Sequence, residues 1–144
     1  MKKLIELLNR QVANFGVFYI KLHNYHWFVK GPQFYQLHEL FENLYDEMTG
    51  HMDEVAERIL MLEEKPLATL KEFLQVATIK EASGNETNMG MVEAVLNDFK
   101  VLDKELADSI KLAQDLGDEV TVDMLLGMQS GFQKHIWMLK SVLK

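Results

Sequence analysis

Four long stretches of the chain carry apolar residues at steps of three and four, and no stretch shows the sustained polar–apolar alternation of a strand. The stretches cover about residues 2–30, 34–64, 88–115 and 119–143. In the first, the pattern runs through Leu4, Leu8, Val12, Phe15, Phe18, Leu22 and Tyr25. This spacing places the apolar side chains on one face of a helix. The sequence therefore predicts an all-α fold with four long amphipathic helices, which is typical of a four-helix bundle.

The links between these helices differ in length. Gly31-Pro32 and Gly117-Asp118 mark short breaks, whereas about residues 65–86 separate the second helix from the third. Within that long link, residues 69–76 predict a short extra helix. A long crossover between helices two and three is a feature of a ferritin-like bundle, because an up-down-up-down bundle has short loops throughout. We expect one domain over residues 1–144, with Asp118 as the cap of the last helix.

Composition excludes several classes of function. The chain has no cysteine, so disulfides, thiolate metal sites and cysteine nucleophiles are excluded. Its formal net charge of −7, with only Lys2 and Lys3 before the first helix, argues against DNA coating, which depends on Lys and Arg. No apolar run approaches the ~18 residues of a membrane span, and no apolar signal segment follows the basic start. We expect a cytoplasmic protein.

The common catalytic motifs are missing. The sequence contains no glycine-rich phosphate loop, no Gly-x-Ser-x-Gly and no His-Glu-x-x-His. It also lacks Glu-x-x-His, the motif that two helices of a conventional di-iron bundle use to build a site in their own core. A di-iron centre of that kind inside the bundle is therefore excluded.

A patterned set of ligand-type residues lies on the second helix. His38, Glu42, Asp53 and Glu57 share one stripe about 100° wide. The pairs His38–Glu42 and Asp53–Glu57 lie more than about 15 Å apart along the helix axis, so one chain cannot bring both to one ion. When two copies of the helix pack antiparallel about a two-fold axis, His38 lies level with Glu57 of the second copy and Glu42 lies level with its Asp53.

His26 joins this set because it and His38 are equidistant from the centre of the first loop, near residue 32. In an antiparallel hairpin the two lie at the same level. Two imidazoles with carboxylates form a ligand set that suits iron(II), manganese or zinc. The alternative is a metal-free helical adaptor, in which the stripe is only a polar interface. We interpret His23 and His51 as surface or interface residues, and His135 as a packing residue beside Trp137.

Three segments of the sequence resemble the Dps mini-ferritins. They are His26-Trp27 followed by Gly31, His38-Glu39-Leu40-Phe41-Glu42, and Asp53-Glu54-Val55-Ala56-Glu57-Arg58. The family motifs read His-Trp-x-x-x-Gly, His-Glu-x-x-Asp and Asp-x-x-Ala-Glu-Arg. Glu42 stands where many members have Asp.

The resemblance implies a hollow shell of twelve subunits with ferroxidase sites at the two-fold interfaces. Such a shell oxidises Fe(II), preferably with hydrogen peroxide, and stores Fe(III) oxide, which protects the cell from oxidative damage. The metal ligands of the family fall on His26, His38, Glu42, Asp53 and Glu57, the residues that the symmetry argument selects. Zinc is a possible competitor of iron at this site, and the alternative function is that of a nucleoid-associated DNA-binding protein.

Two further predictions concern residues outside the ligand set. Trp27 follows His26 directly and is interpreted either as a trap for an oxidising equivalent or as packing area at an interface. Asp118 and Asp123 lie near the start of the fourth long helix, a region that the family resemblance places at a three-fold axis. We predict that Asp123, with Asp118 second, lines a pore for Fe(II), because rings of carboxylates attract cations into narrow channels.

Overall fold

The computed structural model describes residues 1–144 as five helices without strands. The helices are α1 (Lys2–Phe28), α2 (Phe34–Met61), α3 (Leu70–Val76), α4 (Asn88–Asp115) and α5 (Glu119–Leu143). Helix α1 packs along α2, and α4 packs along α5, while α1 also contacts α3 and α4. None of the helices combines the length and apolar character needed to cross a membrane. The predicted all-α, ferritin-like architecture is confirmed, including the short helix within the long crossover.

Side-chain caps fix where three of the helices begin. Thr69 accepts a hydrogen bond from the backbone N–H of Glu72 at 3.2 Å and donates its own hydroxyl to the Glu72 carboxylate at 2.9 Å. Thr87 accepts from the N–H of Gly90 at 3.0 Å, and Asp118 accepts from the N–H of Thr121 at 3.1 Å. The cap predicted for the last helix is therefore confirmed.

The interior of the bundle is apolar, with one buried ion pair. Its largest fully buried side chains are aromatic and include Phe15, Phe18, Phe99 and Phe132. The Lys21 ammonium lies 2.7 Å from the Asp98 carboxylate, and both side chains are almost inaccessible to solvent. Burial raises the pKa of Asp98 even though the Lys21 charge acts in the opposite direction. The pair joins α1 to α4 across the core.

The crossover is held against α1 by polar bonds and by one close approach. The amide oxygen of Asn14 accepts hydrogen bonds from the backbone N–H groups of Thr78 at 2.7 Å and Ile79 at 3.1 Å. The ring of Phe73 lies over Gly16, where a Cβ atom would stand 2.5 Å from the ring. Glycine at position 16 therefore lets α3 approach α1.

Candidate metal centre

Two imidazoles meet where α1 ends and α2 begins. The rings of His26 and His38 are stacked, with centroids 3.7 Å apart and planes inclined by 12°. Each ring nitrogen Nδ1 bonds the backbone carbonyl oxygen of the other histidine at 2.7 Å. Because a carbonyl oxygen only accepts, each Nδ1 carries a proton, and in the neutral imidazole this tautomer leaves a free lone pair on each Nε2. This reciprocal arrangement leaves both Nε2 atoms available as metal ligands.

A carboxylate completes a three-ligand cluster within one chain. Glu42, one helical turn after His38, places its Oε1 atom 3.8 Å from Nε2 of His26. Ligand atoms of His26, His38 and Glu42 all lie within 4.8 Å of one another. Two ligands bound to one ion at about 2.0–2.2 Å lie at most about 4.4 Å apart, so this cluster is close to the size of a single metal site. The Glu42 side chain is 49% exposed, so the cluster opens to the outside of the bundle.

The other two predicted ligands lie away from this cluster. Asp53 and Glu57 are both exposed on α2, about three and four turns beyond Glu42. A single chain thus brings together His26, His38 and Glu42 but not the second acidic pair. The three-ligand cluster leaves coordination positions open, which is what a site shared with a second copy requires.

Aromatic rings surround the two histidines, and sequence reasoning did not identify most of them. Tyr45 lies edge-on to His26, with ring centroids 5.3 Å apart, and stacks on His23 at 3.7 Å. Burial raises the pKa of Tyr45, and the charges of Glu42 and Asp46 raise it further. His26 and His38 meet because they are equidistant from the centre of the first loop. Tyr19 and Tyr45 are equidistant from it in the same way, and their ring centroids lie 5.9 Å apart.

Trp27 is not directed at the metal ligands. Its side chain is 65% exposed, and its ring contacts His23 with centroids 5.3 Å apart. Adjacent residues on a helix point about 100° apart, so the position next to His26 does not place the indole beside the imidazole.

A second polar cluster lies between α2 and α5 and was also missed. The two carboxylate oxygens of Glu47 bond Nε2 of His51 at 3.0 Å and Nε2 of His135 at 2.8 Å. Burial acts to raise the pKa of Glu47, but these hydrogen bonds and the charges of the two histidines lower it to about 2. The sequence suggested a surface or interface position for His51, but its side chain is only 19% exposed and its ring packs against Phe15 and Phe132 inside the bundle.

The two predicted pore acids differ in their surroundings. The Asp118 carboxylate accepts from the N–H and hydroxyl of Thr121 and from the Arg58 guanidinium at 2.9 Å. Burial acts to raise the pKa of Asp118, but these contacts lower it overall. Asp123 is exposed and makes no hydrogen bond or ion pair within the chain. Of the two, only Asp123 has a carboxylate free of structural contacts.

Comparison with known proteins gives consistent matches over almost the whole chain. The family model of the ferritin-like domain matches residues 5–144. General stress protein 20U of Bacillus subtilis is 52% identical over 142 residues, covering 99% of this chain and 98% of that protein. DNA protection during starvation protein 2 of Bacillus anthracis is 51% identical and covers 99% and 97%. The crystal structure of a Dps protein from Bacillus brevis superposes with a TM-score of 0.98 at 49% identity, covering 99% and 96%. The chain therefore belongs to the ferritin-like Dps family.

Proposed function

We propose that this protein detoxifies and stores iron in the cytoplasm. It oxidises Fe(II), preferably with hydrogen peroxide, at sites shared by two subunits, and it stores the Fe(III) product inside a hollow shell of twelve copies. The observation that carries the proposal is the outward-facing cluster of two Nε2 lone pairs and the Glu42 carboxylate, which together offer an incomplete ligand set. Family membership supports the same function.

The residues of one chain supply three of the five proposed ligands. Nε2 of His26, Nε2 of His38 and the Glu42 carboxylate hold Fe(II), and the bonds from each Nδ1 to a carbonyl oxygen keep the imidazoles in the ligating orientation. In the proposed assembly, Asp53 and Glu57 of a second copy approach from the antiparallel α2 helix. Three carboxylates balance the charge of Fe(III) better than that of Fe(II), so the completed site favours the oxidised ion.

The overall reaction consumes the oxidant without releasing a radical when two Fe(II) ions react together. Two Fe(II) ions give one electron each to hydrogen peroxide, which takes up two protons and leaves as two water molecules. The ligands hold the substrate ion until it is oxidised, and the product Fe(III) then moves to the mineral inside the shell. Peroxide consumption and iron storage are thus two results of one reaction.

Replacement of ligands tests the proposal. We expect His38→Ala, and likewise the double change Asp53→Ala with Glu57→Ala, to slow peroxide-driven Fe(II) oxidation by orders of magnitude while the assembly still forms. Near-ultraviolet absorbance follows the reaction, and particle mass follows assembly. Glu54→Ala is the matched control, because Glu54 is an exposed acid on the same helix outside the ligand stripe. Wild-type rates in the ligand variants would overturn the proposal.

Mixed assemblies test the sharing of ligands. When a His26→Ala, His38→Ala chain assembles together with an Asp53→Ala, Glu57→Ala chain, some interfaces regain a full ligand set from the two unmodified halves. Partial recovery of oxidation is the expected result. No recovery in verified mixed shells would contradict a site formed by two subunits.

The relatives named for DNA protection raise the alternative of direct DNA binding. Those names describe the relatives, and removal of iron and peroxide protects DNA without contact. The net charge of −7 per chain disfavours binding to phosphates. A gel shift with duplex DNA at moderate salt separates the two functions, since the proposed iron-storage function predicts no retained band.

A further inference from the structure

The orientation of the two metal-binding imidazoles depends on how the end of α1 lies against the start of α2. Nδ1 of His26 donates to the carbonyl oxygen of His38, and Nδ1 of His38 donates to that of His26, both at 2.7 Å. These bonds cross from one helix to the other, so a shift of either helix end would release both rings. The helices are joined by residues 29–33, and the side chain of Gln33 forms no cap at the start of α2. Contacts that hold this loop therefore also hold the imidazoles.

One residue outside the α1–α2 hairpin binds this loop. The amide nitrogen of Asn88, the first residue of α4, donates to the carbonyl oxygen of Lys30 at 2.5 Å and to Oε1 of Gln33 at 3.4 Å. The amide oxygen of Asn88 accepts from the backbone N–H of Lys30 at 3.4 Å. Lys30 lies just after α1 and Gln33 just before α2, so one side chain joins the two sides of the loop. No other residue beyond the hairpin makes a hydrogen bond to residues 29–33.

A second contact ties the end of the crossover to the last turn of α1. The hydroxyl of Tyr25, which directly precedes His26, donates to the Glu86 carboxylate at 2.5 Å, and Tyr25 is fully buried. The same carboxylate accepts two backbone N–H groups from the turn before it, at 3.0 Å and 2.9 Å. Residues 83–88, the segment that leads into α4, contain no large apolar side chain. The contacts of this segment with α1 and the loop are therefore hydrogen bonds that fix position, and not core packing.

We infer that residues 83–88 position the imidazoles of His26 and His38 for metal binding through Asn88 and Glu86, an inference that rests on the proposed function. The ligand atoms belong to α1 and α2, whereas the side chains that fix these two helix ends come from the end of the crossover and the start of α4. Without them the rings are no longer held in the ligating orientation before the ion arrives, so binding has to order them. Loss of an outer contact of this kind weakens metal binding about 10–100-fold, and the lower end applies here because Asn88 acts through the loop. Asn88 and Glu86 are therefore positioning residues.

The experiment uses Co²⁺ as the probe, because its visible absorption reports both affinity and coordination geometry. In the assembled protein, we expect Asn88→Ala to weaken Co²⁺ binding about 10-fold and to change the band intensities. Tyr25→Phe keeps the buried ring and removes the bond to Glu86, so it should act in the same direction. In peroxide-driven oxidation, Asn88→Ala should raise the KM for Fe(II) about 10-fold and leave kcat near the wild-type value, because every ligand remains. Asn85→Ala is the matched control, since Asn85 is an exposed asparagine of the same segment whose side chain makes no hydrogen bond.

The outcomes separate this inference from the function on which it rests. Wild-type Co²⁺ affinity and spectrum in Asn88→Ala overturn the inference, and so does a lower kcat with an unchanged KM. A lower Tm with an unchanged cobalt spectrum also overturns it, because that result describes a purely structural role. If Asn88→Ala fails to assemble, Tyr25→Phe decides by the same two readouts. A wild type that binds no Co²⁺, or that binds it no better than His38→Ala does, overturns the proposed metal site itself.

Discussion

The hydrogen bonds of the Glu47 carboxylate make the stability of the fold depend on pH. Both of its oxygens are bound by imidazole nitrogens, at 3.0 Å from His51 and 2.8 Å from His135. These contacts overcome the effect of burial and lower the pKa of Glu47 from 4.5 to about 2. A carboxyl group with a lowered pKa in the folded state stabilises the fold above pH 4.5, and the stabilisation is lost as the pH falls through about 2.

The size of the effect follows from that pKa difference. A fall from 4.5 to about 2 corresponds to an upper bound of about 3.4 kcal/mol, at ~1.36 kcal/mol per pH unit. The side chain of Glu47 is 32% exposed, and solvent screening reduces the contribution to about 2 kcal/mol. For a chain of this size, that loss lowers the Tm by about 4–8 °C.

The assay compares Glu47→Gln with wild type by thermal unfolding from pH 7 to pH 3, at one protein concentration because oligomer stability depends on concentration. We expect the variant to have the lower Tm at pH 7. The difference in Tm should narrow below pH 4.5, as the wild type loses the stabilisation that ionised Glu47 provides. Glu39→Gln is the control, since Glu39 is exposed and makes no polar contact. An equal difference in Tm at pH 7 and pH 3, or no difference at either pH, would refute this account of Glu47.

Three further predictions concern the buried pair, the pore and the crossover. Lys21→Met leaves Asp98 buried without its partner and should cost about 3–5 kcal/mol in urea unfolding, and the double change with Asp98→Leu should recover most of the loss. Asp123→Asn should slow initial iron uptake at low Fe(II) and low ionic strength without changing oxidation in a loaded site, and wild-type uptake at low salt would exclude the pore role. Gly16→Ala should displace Phe73 and make the crossover more susceptible to limited proteolysis, and unchanged digestion would contradict the close contact.

The fold was predictable because its determinants are local in sequence. Steps of three and four identify the long helices, and the cap residue Asp118 marks the start of α5. The contact between His26 and His38 was also predictable, because a short loop makes residues equidistant from its centre meet. The same rule applied to Tyr19 and Tyr45 would have found the aromatic cluster beside the site.

Contacts between helices that are remote in sequence were not predictable in this way. Glu47 and His51 are four residues apart, a spacing that is also typical of an exposed pair on the surface of a helix. His135 reaches Glu47 across 88 positions, and no spacing rule indicates that the two meet. The bond between Arg58 and Asp118 is similar, with 60 positions between the partners, so the sequence identified the cap but not the ion pair.

The interior of the bundle explains why the candidate site lies at its edge. Around Glu47 the space between the helices is filled by the rings of Phe15, Phe99 and Phe132, and both oxygens of Glu47 are already bound by imidazoles. The ligating Nε2 atoms of His26 and His38 instead lie where α1 meets α2, beside an exposed carboxylate. A site in that position has open coordination positions that its own chain does not fill. The proposed function therefore makes assembly part of catalysis, and we expect chains that fold but fail to associate to retain three ligands and to lose oxidation.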